Sequence, residues 1–194
     1  DSMRILITGA SRGLGLVCAE TLKSSHDVIK LHFDYFTESC SIPGEFDAVI
    51  HCAGGGMGLR SPLIASGDLH KLFMLNLGSA VEVNRLVLPQ MIKQGYGAIV
   101  HVCSIASGEA VGSVGYNTVK SALKAYVRSL GREMAPHGLV ITGIAPGAFK
   151  SSGNAMERLE RDSPEAYQDF IQNRLPRKRM GTAEELIPLI KLLI

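Results

Sequence analysis

Short apolar runs that close on glycine, each followed by a stretch with helical spacing, limit this chain to few folds. RILITGA (4–10) is followed by GLGLVCAETLKSS (13–25), with Leu14, Val17, Cys18 and Leu22 on one helical face. FDAVIHCAG (46–54), GAIVHVCS (97–104) and GLVITGIAPG (138–147) repeat the strand pattern, and DVIKLHF (27–33) adds a less regular strand. Between and after them, 68–92, 116–135, 154–172 and 183–194 read as helices. Strands that are apolar at consecutive positions are covered on both faces, and regular alternation with helices gives a parallel sheet. The expectation is a single α/β domain over residues 1–194, a doubly wound parallel sheet flanked by helices. Functional side chains should gather at the carboxyl ends of its strands.

Two features depart from a full doubly wound sheet. Only about a dozen residues separate DVIKLHF from FDAVIHCAG, where a further helix and strand would be expected. The sequence also stops inside the apolar stretch LIPLIKLLI, with no final strand. We expect some loop segments and a last strand to be absent from the 194 residues. Asp1 and Ser2 read as an expression scar before a native start at Met3.

Composition removes several classes of function. The net charge is +2, which gives no reason to expect nucleic acid as a partner. No apolar run reaches membrane-spanning length. Cys18, Cys40, Cys52 and Cys103 lack C-x-x-C spacing and read as reduced thiols of a cytoplasmic protein. His51, Cys52, His101 and Cys103 end two strands, but adjacent strand residues point to opposite faces, so no metal site is expected. RLPRKR (174–179) is expected as a solvated loop.

TGASRGLG (8–15) joins the first strand to its helix. Gly9, Gly13 and Gly15 would let the backbone turn and approach a pyrophosphate, while the helix N-terminus offers free N–H groups. Downstream, Tyr116 and Lys120 are four positions apart and share a helix face. Holding a tyrosine ionised near neutral pH opposes about 3 pH units, roughly 4 kcal/mol. A nearby ammonium works in the favourable direction. In the reductive direction the tyrosine is already protonated and can serve as a general acid.

With TGASRGLG, HCAGG, Asn76, SIAS, YNTVK and APGAF in this order, the chain resembles the short-chain dehydrogenase/reductase family from residue 4 to about residue 190. The glycine spacing T-G-x-x-x-G-x-G is that of the family's short members. Ala53–Gly54 matches the last half of its N-N-A-G, with His51 and Cys52 in place of the asparagines. LPRKRMGTAEEL resembles its later P-x-x-R-x-G-x-x-E-E stretch.

The resemblance implies a Rossmann-type fold, a nicotinamide cofactor and a carbonyl or alcohol substrate. It implies a catalytic set of Asn76, Ser104, Tyr116 and Lys120. Tyr116 would be the acid, Lys120 would also bond the nicotinamide ribose, Ser104 would polarise the carbonyl, and Asn76 would hold a relaying water. The Ser104–Tyr116 loop is one residue shorter than usual, and Ser107 is the alternative for the polarising role. Cofactor contacts are implied at Gly9, Ser11, Arg12, Gly13, Leu14, Gly15, Ala53, Gly54, Tyr116, Lys120, Pro146, Gly147, Phe149 and Ser151.

Cofactor choice turns on two places. His32 stands where NAD users carry an acid, with Lys30 before it and Asp34 beyond. Arg12 is placed to meet a 2′-phosphate. NADP is therefore favoured, with NAD as the alternative. The resemblance further implies a homodimer or homotetramer built on the 75–91 and 116–130 helices. A nucleotide- or partner-binding homologue without catalysis is the rival reading.

Overall fold

A computed structural model describes residues 1–32, 34 and 39–194. Its sheet has five parallel strands in the order β2-β1-β3-β4-β5. They are β1 (Arg4–Thr8), β2 (Asp27–Leu31), β3 (Ala48–His51), β4 (Gly97–Val102) and β5 (Leu139–Ile144). All five coincide with the expected runs. The first, third and fifth runs end a few residues early, where their glycine-terminated tails leave the sheet. Phe33, the expected end of the second strand, lies outside the described residues.

Side chains leave the central strands alternately for two cores. Ile5, Ile7, Ala48, Ile50, Ala98 and Val100 pack on one face under α1 (Gly13–Leu22) and α7 (Ile187–Leu193). Leu6, Val49, Ile99, Leu139 and Ile141 pack on the other, against Val83, Val87 and Met91 of α3 (Ser79–Gln94). This two-sided burial is why the strands carry apolar residues at every position. Helix α4 (Val114–Met134) closes the second face along β5.

Two expected helices are interrupted. The 68–92 helix consists of α2 (Ser66–Phe73) and α3, joined by a π-helical turn over Met74–Gly78. Such wider turns recur where a side chain has to be re-aimed, and Asn76 sits at the centre of this one. The 154–172 helix is two, α5 (Ala155–Asp162) and α6 (Pro164–Arg174). Pro164 disfavours a helical residue before it, and Ser163 takes φ −150°.

A small ribbon, β6 (Phe149–Lys150) paired with β7 (Gly181–Thr182), ties the segment after β5 to the turn before α7. No helix among the described residues is long and apolar enough to cross a membrane.

Candidate active site

The sheet order places the topological switch between β1 and β3, since the chain leaves β1 toward β2 and returns on its other side. The glycine loop and the Ala53–Gly54 turn meet there. Gly9 has φ +63°, and a Cβ on it would stand 2.4 Å from the Ala53 nitrogen. A side chain would hold the two turns apart. Leu14 is buried, so its side chain anchors α1 to the core. Ser11 and Arg12 are exposed beside it.

Helix α1 has no side-chain cap from its own Arg12. Instead, the Gly13 N–H donates to Ser152 Oγ at 2.8 Å. The segment after β6 therefore straps the glycine loop. Asn154 builds that strap: its amide donates to the Phe149 carbonyl at 2.8 Å, and its Oδ1 accepts the Glu157 N–H at 3.1 Å. The Arg12 side chain runs along Gly153, where a Cβ would stand 2.7 Å from Cδ. Of the residues expected at the cofactor, Ser151 also reaches the loop, its Oγ being 3.3 Å from where a Gly13 Cβ would be. Phe149 is half-buried against the α1–α7 core.

Asn76 projects from the π-helical turn and is 1% exposed. Its Nδ2 donates to the carbonyls of Leu72 and Gly55, both at 2.9 Å, and its Oδ1 accepts the Gly55 N–H at 2.9 Å. It thus satisfies a helix carbonyl and clasps the loop after β3. A Cβ on Gly54 would stand 2.9 Å from Asn76 Oδ1 and 3.1 Å from Lys120 Nζ. These two polar groups overlook one point that only a glycine leaves open.

Ser104 follows β4 and caps the short 3-10 turn Ile105–Ser107, its Oγ accepting the Ala106 N–H at 3.1 Å. Its hydroxyl also acts on Tyr116 in the direction that favours the phenolate. Ser107 instead has its carbonyl taken by Ser121 Oγ at 3.1 Å and lines a separate cavity with Lys124 and Arg128. Of the two serines, Ser104 is the one that influences the tyrosine. The Ile105 N–H donates to the Pro146 carbonyl at 3.1 Å, which brings the Pro146–Gly147 turn to the same rim.

Tyr116 and Lys120 share the face of α4 that looks onto this rim. Burial pushes the Tyr116 hydroxyl above its usual range, against the lowering effect of Ser104. Burial also holds the Lys120 ammonium down to about 8, with the Cys103 and Cys52 thiols opposing. The spacing alone suggests a lysine that acidifies the tyrosine. In the structure burial is the largest influence on Tyr116 and acts in the opposite direction.

The remaining expectations fall outside this cluster. His51 and His101 are register partners on β3 and β4 and stack at 4.9 Å rather than converging on a metal. Among the described residues no group of three His, Cys, Asp or Glu is arranged to hold one. Arg179 of the basic loop pairs with Glu185 at 2.6 Å, and Arg177 approaches the same carboxylate at 3.8 Å. Lys30 pairs with Glu20 at 3.6 Å. Sequence reading missed Ser152 and the Asn76–Gly55 clasp. Their partners lie 139 and 21 positions away, beyond any local pattern.

The family model for short chain dehydrogenases matches residues 31–162. The chain belongs to the short chain dehydrogenase family. Gluconate 5-dehydrogenase of Gluconobacter oxydans is 30% identical over 221 positions, covering 95% of this chain and 84% of that protein. Those 221 positions outnumber the chain's 194 residues, so that relative carries internal segments absent here. The 3-oxoacyl-acyl-carrier-protein reductase of Aquifex aeolicus is 26% identical, covering 93% of this chain and 85% of that one. Among solved structures, a gluconate 5-dehydrogenase from Burkholderia cenocepacia in complex with NADP and tartrate aligns with TM-score 0.83 and 25% identity, over all of this chain and 88% of that one.

Proposed function

We propose that this short chain dehydrogenase is an NADP-preferring reductase of a ketone or aldehyde. The observation that carries the reading is the meeting of Ser104, Tyr116, Lys120 and Asn76 at one rim beside a glycine loop at the switch point. The crevice suits a dinucleotide: the glycine loop opens α1 there, a Cβ on Gly9 would hold the two turns apart, and one on Gly54 would fill the point between Asn76 and Lys120. Gly9, Ser11, Arg12, Gly13, Leu14, Gly15, Ala53 and Gly54 would hold the dinucleotide, with Pro146, Gly147, Phe149 and Ser151 on the strap side. When bound, the reduced nicotinamide supplies the hydride.

The chain's own residues supply the rest. Ser104 directs its hydroxyl at the substrate oxygen and polarises the carbonyl. Tyr116, held protonated by burial, donates its phenolic proton to that oxygen. The Lys120 ammonium stabilises the phenolate left behind. Asn76 fixes the floor through Gly55, and its Oδ1 faces the same opening as Lys120.

Arg12 is exposed at the adenine end and favours a 2′-phosphate over a bare ribose. The relatives named for gluconate direct the first assay to hydroxy and keto acids of sugars. Exposed Val81 and Ile92 on α3 support pairing of copies through the α3 and α4 helices, which light scattering tests. All four cysteines are free thiols, which suits a reducing, cytoplasmic setting. The deciding experiment is NADPH and NADH oxidation across a carbonyl panel. Tight dinucleotide binding with no turnover on any member would favour the non-catalytic reading.

A further inference from the structure

Beneath the site runs a chain of polar side chains that the proposed chemistry does not use. Thr8 Oγ1 lies 3.3 Å from His51 Nδ1, and His51 Nε2 lies 2.8 Å from Asn84 Oδ1. Asn84 Nδ2 lies 3.0 Å from both His101 Nε2 and the Tyr126 hydroxyl. His101 Nδ1 lies 3.0 Å from the Thr142 carbonyl oxygen. Asn84 and His101 are wholly shielded from solvent, and Thr8 and His51 nearly so.

Their protons can be assigned by elimination. A carbonyl only accepts, so His101 carries its proton on Nδ1. A neutral imidazole has one N–H, so His101 Nε2 is a bare acceptor and faces the Asn84 amide nitrogen. That fixes the orientation of Asn84 and aims its Oδ1 at His51. This oxygen only accepts, so His51 carries its proton on Nε2. Its Nδ1 then accepts the Thr8 hydroxyl proton. The second amide hydrogen of Asn84 goes to Tyr126. Each ring N–H, both Asn84 amide hydrogens and the Thr8 hydroxyl proton meet one acceptor, and burial of both rings favours the uncharged forms this requires.

Each member stands close to a working part of the site. Thr8 immediately precedes Gly9. His51 is two residues before Ala53, and His101 is three before Ser104. Tyr126 lies on the helix that carries Tyr116 and Lys120. Asn84 joins β3, β4 and α4 through His51, His101 and Tyr126.

We propose that Asn84 is a positioning residue. Through two histidines in fixed and opposite tautomers, it holds the ends of the site-bearing strands and α4 in register. The inference rests on the site assigned above, but its first test does not. Nitrogen NMR of labelled histidine side chains, on the full unaltered chain, should show His101 protonated at Nδ1 and His51 at Nε2. Neither ring should titrate between roughly pH 8 and pH 5.5. The opposite tautomers, or a ring titrating near its ordinary value, would overturn the assignment even if the protein proves to be an active reductase.

The second arm is Asn84→Asp, nearly the same shape but with no donor. In a variant still folded by circular dichroism, His101 should change tautomer or charge, and turnover should fall about tenfold through misplacement of the reacting groups. NADPH titration separates the two readings, since a chain that binds no dinucleotide fails the functional proposal while leaving the tautomers intact. A folded Asn84→Asp with altered histidine signals and undiminished turnover would remove the positioning role.

Discussion

Lys120 Nζ stands 5.6 Å from the centroid of the Tyr116 ring and 3.3 Å from the Val102 carbonyl oxygen. The lysine is thus held by the end of β4, not by the tyrosine hydroxyl, and it is 3% exposed. Burial brings it down to about 8, so it begins to lose its charge just above neutral pH. Tyr116 stays protonated over the same range, its hydroxyl being pushed above the ordinary value. The expected pH profile follows. Reduction, measured as kcat/KM for NADPH oxidation, declines as pH rises through about 8, and the limb belongs to Lys120. A Lys120→Met variant should be slow and flat there. A profile that is level to pH 10 in the unaltered protein would contradict the assignment.

Tyr116→Phe removes the phenolic proton of Tyr116 from the rim while leaving the ring and its packing. Turnover should fall by about 10²–10⁴-fold, the range for loss of a positioned general acid. NADPH affinity, read by fluorescence titration, should change little. Equal activity in the two proteins would sink the mechanism.

Much of this arrangement is legible in the sequence, and the reasons are local. The strands are apolar without a break because both faces are buried, so their positions can be read from hydrophobicity alone. Tyr116 and Lys120 share a face because helical spacing dictates it. What escapes is set by contacts between distant segments. The π-helical turn that aims Asn76 has no marker in MLNLG: Met and Leu suit an ordinary helix, and Asn76 and Gly78 weaken one without specifying a wider turn. The Ser152–Gly13 contact joins segments 139 residues apart. The balance of charge at Tyr116 depends on burial, which spacing does not report.

Gly54→Ala tests the opening between Asn76 and Lys120. The added Cβ would stand 2.9 Å from Asn76 Oδ1, which three hydrogen bonds through the Asn76 amide hold in place. The amide cannot yield without releasing Gly55 or Leu72. Overpacking of this kind costs about 1–3 kcal/mol. We expect a folded protein with a lower denaturation midpoint and weakened dinucleotide binding. Unchanged NADPH affinity would show that the loop moves freely.

The Arg12 side chain has no ion-pair or hydrogen-bond partner among the described residues and lies along Gly153. Its charge is therefore available to a phosphate. Arg12→Ala should weaken NADPH binding about tenfold, the effect of one lost charge-assisted contact, and leave NADH binding nearly unchanged. Titrating both dinucleotides against both proteins makes the comparison internal. An equal loss for the two would assign Arg12 to the shared pyrophosphate instead.

The buried histidines make the fold acid-sensitive in a window of their own. His51 is held down to about 3 by burial and by His101 beside it, and His101 to about 4 by burial. His51 faces His101, Asn84 and Thr8, and His101 also faces the Tyr126 ring at 6.0 Å. No carboxylate is among these neighbours to favour a charged ring. In the unfolded chain both rings titrate near 6.5, so the unfolded state binds more protons at any pH below that. The stability they contribute is complete above about pH 6.5 and is withdrawn as pH falls toward 4. Glu185, lowered to about 2 by Arg179, begins to matter only below its ordinary value of 4.5. Urea midpoints measured at about pH 7, 6, 5 and 4.5 should therefore fall steadily before the carboxylates contribute. A midpoint that holds steady down to pH 4.5 would mean the rings are charged, or reached by water, in the folded protein.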